Sequence, residues 1–159
     1  MTTLKVLIVD DELTMRAAVR RALERHEVTL PELEGTCRFE VLEAGSAEEG
    51  LEIIDGRAPD LVLLDHQLPG MSGVELLAVL AERQPAPEFL TVIMTAYATL
   101  ENAVLATKRG AEDFLAKPFT PDELRAVVDK TARHLLVTRE ARRLAREKSQ
   151  VRFQLLSVI

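Results

Sequence analysis

Apolar positions along this chain follow two alternating rhythms. Leu4 to Val9 is an apolar run that stops at Asp10 and Asp11; from Glu12 to Arg25 apolar residues return at helical spacing through Met15, Ala18, Val19 and Leu23. Strand, acidic turn and helix form the first unit. A short strand at Phe39 to Leu42 follows, then a helix through Leu51 and Ile54, opened by Ser46 with Glu49 three residues on as a capping box. Leu61 to Leu64 is a continuous apolar run ending at Asp65; Pro69-Gly70 turns the chain, and Ser72 opens a helix through Val74, Leu77 and Leu80. Phe89 to Met94 is a fourth strand, followed by a helix that Thr99 caps and Gly110 stops. Phe114-Leu115 lies in a fifth strand. Thr120-Pro121-Asp122-Glu123 then starts a last helix, with proline at its first position and a capping glutamate.

Continuous apolar strands need helices above and below them, so this order predicts an α/β domain on an open, doubly wound, five-stranded parallel sheet. Ligands of such sheets bind at the carboxyl ends of the strands. Asp10, Asp11, Asp65, Thr95 and Lys117 all fall at or just beyond those ends, which predicts that they converge on one edge. Three carboxylates gathered there repel one another unless a cation binds between them. Mg²⁺ suits an all-oxygen donor set that leaves room for water and phosphoryl oxygens. Asp11 and Asp65 are the expected direct ligands, with Asp10 acting through water and the backbone carbonyl of Gln67 adding an oxygen. Asp65 is then the expected nucleophile toward phosphorus, forming an acyl phosphate. The Lys117 ammonium and the cation neutralise charge on the phosphoryl oxygens. The Thr95 hydroxyl is expected to move to one of those oxygens, and Phe114 to rotate into the space so opened, converting a charge event into a change of surface shape.

Composition narrows the setting. The chain has 159 residues, 47% hydrophobic and 29% charged, which fits one core with an appended element and needs no disulfide or structural metal. Cys37, the only cysteine, is expected to be a packing residue; a single thiol fits a reducing, cytoplasmic setting and excludes a redox pair. Met1-Thr2-Thr3-Leu4-Lys5 has no export-leader pattern, and no apolar run approaches the ~20 residues of a membrane helix, so the expectation is a soluble chain without a membrane partner. The net charge of −6 disfavours direct nucleic-acid binding.

Asp10-Asp11, Leu64-Asp65, the run Leu68-Pro69-Gly70-Met71-Ser72-Gly73, Met94-Thr95-Ala96 and Lys117-Pro118-Phe119, in this order and at these spacings, resemble the receiver domains of bacterial response regulators over about Lys5 to Leu136. The resemblance implies a flavodoxin-like sheet of order 2-1-3-4-5. It also implies Mg²⁺-dependent phosphorylation of Asp65 by a histidine kinase or phosphotransfer protein, a cis peptide between Lys117 and Pro118, and Thr95 with Phe114 as the switch pair. Gln67 and Tyr97 lie two residues after Asp65 and Thr95, where the family tunes phosphoryl lifetime, and Tyr97 is expected to shield the acyl phosphate.

Three further features stand apart from the pattern. The stretch from His26 to Arg38 is longer than the usual connection and is expected to be a loop, with an extended first helix as a variant. His26, His66 and His134 are expected at ordinary surface or boundary positions, His66 pointed away from the site by strand alternation. The receiver is expected over 1–136, with a helical extension over 137–159. In that extension Val137, Ala141, Leu144, Lys148, Val151 and Leu155 alternate spacings of four and three, the seam of a parallel coiled-coil homodimer. A seam docked on its own domain is the alternative. Arg139, Arg142, Arg143, Arg146, Lys148 and Arg152 are read as a solvated basic face. Arg152 to Ile159 resembles the stretch before the phosphoacceptor histidine of histidine kinases, which implies that the chain is the front of a longer kinase; an ATPase-type transcription activator is the rival parent.

Two other functions use similar residues. Phosphatases of the haloacid dehalogenase type carry an acidic residue two positions after the nucleophile, where this chain has Gln67, so the chain as given is not expected to be a turnover enzyme. A pseudo-receiver would have lost the acidic pocket, which is intact.

Overall fold

The computed structural model of the protein describes residues 1–158. Strands β1 (Thr2–Val9), β2 (Glu27–Leu30), β3 (Gly35–Ala44), β4 (Leu61–Asp65), β5 (Leu90–Thr95) and β6 (Asp113–Ala116) form one sheet of order β2-β3-β1-β4-β5-β6. Helices α1 (Leu13–Leu23), α2 (Ala47–Arg57), α3 (Gly73–Ala81), α4 (Leu100–Lys108) and α5 (Pro121–Val158) cover it. The five strands other than β2 pair in parallel in the order β3-β1-β4-β5-β6, which is the 2-1-3-4-5 arrangement.

Each face has its own core because alternate side chains leave the strands on opposite sides. Leu4, Val6 and Ile8 of β1 and Leu63 of β4 pack with Val19 and Leu23 of α1 and with Leu124, Val128 and Leu135 of α5. Leu7, Val9, Val62 and Leu64 pack with Ile54 of α2 and Leu76, Leu77 and Leu80 of α3. Central β4 is buried on both faces, which explains why Leu61 to Leu64 reads as an unbroken apolar run. Each such side chain contributes about 1.5–3 kcal/mol on burial.

The stretch from His26 to Arg38 is not a loop. Val28 and Leu30 point inward and alternate with exposed Glu27 and Thr29, so β2 adds to the sheet as a sixth, antiparallel edge strand with Glu27 opposite Arg38 and Leu30 opposite Gly35. A single 3-10 turn, Pro31–Leu33, closes the hairpin, with Glu34 left-handed at φ 50°. The second strand of the hairpin lengthens β3 to Gly35–Ala44, well beyond the expected Phe39 to Leu42. His26 braces this edge: its ring stacks on Phe39 and its Nε2 lies 2.7 Å from Asp129 of α5. Cys37 is fully buried here, and its thiol is pushed up to about 11, chiefly by burial and then by the charges of Asp129 and Asp60.

Helix α5 starts as its sequence directs: the Glu123 N–H donates to Thr120 Oγ1 at 3.1 Å, and the Glu123 carboxylate reaches back to the Thr120 N–H. It continues without a break to Val158, and every residue over 141–157 is exposed. No helix among the described residues is long and apolar enough to cross a membrane.

Candidate functional site

The carboxyl ends of β1, β4 and β6 bring Asp10, Asp65 and Lys117 together. Asp10 is fully buried and Asp65 only 6% exposed, yet every buried side-chain polar atom among the described residues has a partner. Lys117 Nζ lies 2.7 Å from Asp10 Oδ2 and 3.3 Å from Asp65 Oδ1. The other Asp10 oxygen accepts the Glu12 N–H at 2.9 Å, in the turn that launches α1. Arg16, one turn into α1, donates to the Asp10 carbonyl at 2.7 Å and holds Glu43 at 3.3 Å, fixing that turn from outside. Asp11 is exposed at the mouth, and one carboxylate oxygen from each of Asp10, Asp11 and Asp65 lies within 4.8 Å of the others. The Gln67 N–H donates to Asp65 Oδ1 at 3.4 Å, while the Gln67 side chain is exposed.

Burial, followed by the Asp10 charge, raises the Asp65 carboxyl above its ordinary range, with Lys117 partly offsetting both. Burial also works against the Lys117 ammonium. The two carboxylates outweigh it, and Lys117 is held above its usual value. One ammonium thus bridges two buried carboxylates, with the third carboxylate open to solvent.

A close backbone approach shapes the loop after β4. A Cβ on Gly73 would sit 2.0 Å from the Asp65 carbonyl oxygen, so only glycine lets the start of α3 lie against the end of β4. Gly70 turns the intervening chain at φ +76°. Ser72 caps α3 through the Glu75 N–H at 3.1 Å.

Thr95, at the end of β5, is 2% exposed, and its carbonyl accepts the Lys117 N–H at 2.8 Å. Its hydroxyl oxygen accepts the Tyr97 N–H at 3.0 Å and lies 3.1 Å from His66 Nδ1. His66 therefore does not leave the site, contrary to the expectation from alternation along one strand. The parallel register sets Asp65 opposite Met94, and the His66 N–H donates to the Met94 carbonyl at 2.8 Å, so His66 comes to lie beside Thr95. Half-buried Phe114 of β6 lines a cavity of about 30 Å³ with His66, Thr95, Asn102 and Leu105. The Tyr97 side chain is 54% exposed. The Lys117–Pro118 peptide is cis. His134 sits on the surface against Glu112.

The profile of the response regulator receiver domain matches residues 6–129. The phosphate regulon transcriptional regulatory protein PhoB of Pseudomonas aeruginosa is 36% identical over 119 residues, which are 75% of this chain and 47% of that protein. The DNA-binding transcriptional regulator NtrC of Escherichia coli is 35% identical over 129 residues, 81% of this chain and 25% of that protein. The chain thus spans less than half the length of these relatives. NtrX from Brucella abortus in complex with ADP superposes with a TM-score of 0.72 at 32% identity, over 91% of this chain and 30% of that one. A CheY-like receiver domain protein from Methanospirillum hungatei superposes with a TM-score of 0.66 at 31% identity, over 88% of this chain and 99% of that one. A profile match across most of the chain and a solved receiver aligned along nearly its whole length agree with the acidic edge of the sheet, and the chain belongs to the response regulator receiver domains of two-component signalling.

Proposed function

We propose that the chain accepts a phosphoryl group on Asp65 from the phosphohistidine of a histidine kinase or phosphotransfer protein, and passes the change to an output through α5. The buried arrangement of Asp10, Lys117 and Asp65 carries this reading. An Asp65 carboxylate oxygen attacks phosphorus; the O–P bond forms as the P–N bond to imidazole breaks, and the imidazole leaves with the electron pair. Raising the Asp65 carboxyl strengthens it as a nucleophile once ionised, and Lys117 stands within reach of the charge that the transferred group brings.

The donor set fits Mg²⁺: three carboxylate oxygens converge, two on buried residues and one at the open mouth, with no nitrogen or sulfur ligand among them. Asp11 and Asp65 would hold the ion directly, with Asp10 through water and the Gln67 carbonyl as a further oxygen. Bound there, it would withdraw charge from the phosphoryl oxygens. Thr95 and Phe114 form the switch pair, supported by the cavity they share. Exposed Gln67 and Tyr97 set how readily water reaches the acyl phosphate. The chain turns over no small phosphate ester, because the amide of Gln67 stands where a general acid is required. Mass spectrometry of the intact chain with acetyl phosphate and Mg²⁺ tests the reading: one phosphoryl group should add to wild type and none to Asp65→Asn, and equal addition to both would overturn it.

The exposed half of α5 pairs with a second copy as a parallel homodimer. Val137, Leu144, Val151 and Leu155 leave an apolar stripe that the receiver does not cover. Light scattering that finds only monomer at high concentration contradicts this. For the output beyond the helix we favour a transcription activator of the ATPase type over a kinase core, because the relatives that match are named as transcriptional regulators and the matching NtrX chain binds ADP. A longer parent chain with a kinase core after residue 159 would reverse that choice.

A further inference from the structure

His66 is the residue of the sheet edge to which the proposed chemistry gives no task. Its half-buried ring sets Nδ1 3.1 Å from the Thr95 hydroxyl oxygen, which also accepts the Tyr97 N–H at 3.0 Å. A hydroxyl has one proton and two lone pairs. With one pair engaged by Tyr97, the imidazole takes either the proton or the second pair, depending on its tautomer. In both cases Thr95 Oγ1 is held on the His66 side, and carrying it to a phosphoryl oxygen breaks the His66 contact.

Space leads to the same residue. The cavity that His66, Thr95 and Phe114 share is about 30 Å³, whereas a cavity that takes a benzene ring is about 150 Å³. Room exists for a water molecule and none for a phenyl ring. An inward turn of Phe114 therefore requires a wall of the cavity to give, and His66 is the wall that also holds the Thr95 hydroxyl.

We propose that His66 is a latch on the resting state: it occupies the Thr95 hydroxyl and the space that Phe114 needs, so that accepting a phosphoryl group must displace it. This rests on reading Thr95 and Phe114 as the switch pair. His66 is a positioning residue, acting through Thr95 and Phe114 and not on the reacting atoms. Helix α4, which forms one wall of the cavity, is suited to give way, since it buries none of its side chains fully.

The test uses the chain with beryllofluoride and Mg²⁺ as the phosphoryl mimic, with affinity followed by NMR shifts of the Thr95 and Phe114 signals. His66→Ala should tighten binding by about three- to tenfold, the worth of one hydrogen bond lost from the resting state only. His66→Asn, whose side-chain amide can keep a bond to the hydroxyl, should return toward wild type. In a Thr95→Ala background the gain from His66→Ala should shrink, because the two residues are coupled. Affinity unchanged or weakened in His66→Ala, or an equal gain in both backgrounds, overturns the latch. If the alanine variant does not fold, His66→Val, which removes the hydrogen bond and is shorter than the imidazole, should tighten binding by a similar factor; no tightening overturns the latch. A wild type that binds no beryllofluoride overturns the receiver reading itself, and the latch with it.

Discussion

The two sides of the sheet's carboxyl edge are built to different standards. Around β1, β4 and β6 the acceptor carboxylate sits among residues with no freedom: Asp10 is fully buried with both oxygens engaged, and Leu61 to Leu64 beneath Asp65 are fully buried as well. Around β5 and α4 the packing is loose. No residue of α4 is fully buried, Leu100 is 82% exposed, and a cavity lies between that helix and the strand. Chemistry needs groups preorganised to within fractions of an ångström, whereas a switch needs an element with two arrangements of similar energy. One edge carries both because the tight side and the loose side adjoin: the Thr95 carbonyl accepts the Lys117 N–H at 2.8 Å, and Asp65 lies opposite Met94.

Substitutions can break this contrast in graded steps. Leu64→Ala, beneath the acceptor, should lower unfolding free energy by about 2–5 kcal/mol in urea titration. Lys117→Ala should slow phosphorylation by acetyl phosphate by about 10²-fold or more, the scale of losing one preorganised donor to a developing anion. Asp65→Asn should act on stability in a pH-dependent way. Because burial and the Asp10 charge raise the Asp65 carboxyl, the folded chain binds that proton more tightly than the unfolded chain does. The resulting stability is complete below the unfolded value of about 3.9 and is lost as pH rises through the folded value. In chelator, Asp65→Asn should therefore melt no higher than wild type near pH 3 and above it at pH 7, by about 2–4 °C for each kcal/mol of relieved repulsion. Tyr97→Ala should lose its phosphoryl group several-fold faster than wild type; an equal or slower loss removes the shielding role. Leu100→Ala, on the loose side, should change stability by no more than about 0.5 kcal/mol.

Much of the tight side was legible in the sequence, because its causes are local. Apolar runs that end in Asp10-Asp11 and Asp65 identify strands buried on both faces, and Ser46, Ser72, Thr99 and Thr120 each accept the N–H three residues on, as their patterns predict. What escaped depends on pairing between strands. Val28 and Leu30 make too short an alternation to announce a strand beside Pro31 and Gly35, and they become one only when laid along Cys37 and Gly35. The place of His66 is hidden for the same reason. Alternation correctly separates it from Asp65, but only the register with β5 shows that Thr95 lies on the face it joins. The roles of Gly73 and Arg16 as supports likewise come from contacts across the fold, with the Asp65 carbonyl and the Asp10 carbonyl.

Locating the phosphoryl group decides the central claim. Borohydride reduces an acyl phosphate on aspartate to homoserine, so the chain treated with acetyl phosphate and Mg²⁺, reduced and digested, should carry homoserine at position 65 alone. Homoserine at Asp10 or Asp11, or a phosphoryl group that survives reduction unchanged, would contradict it.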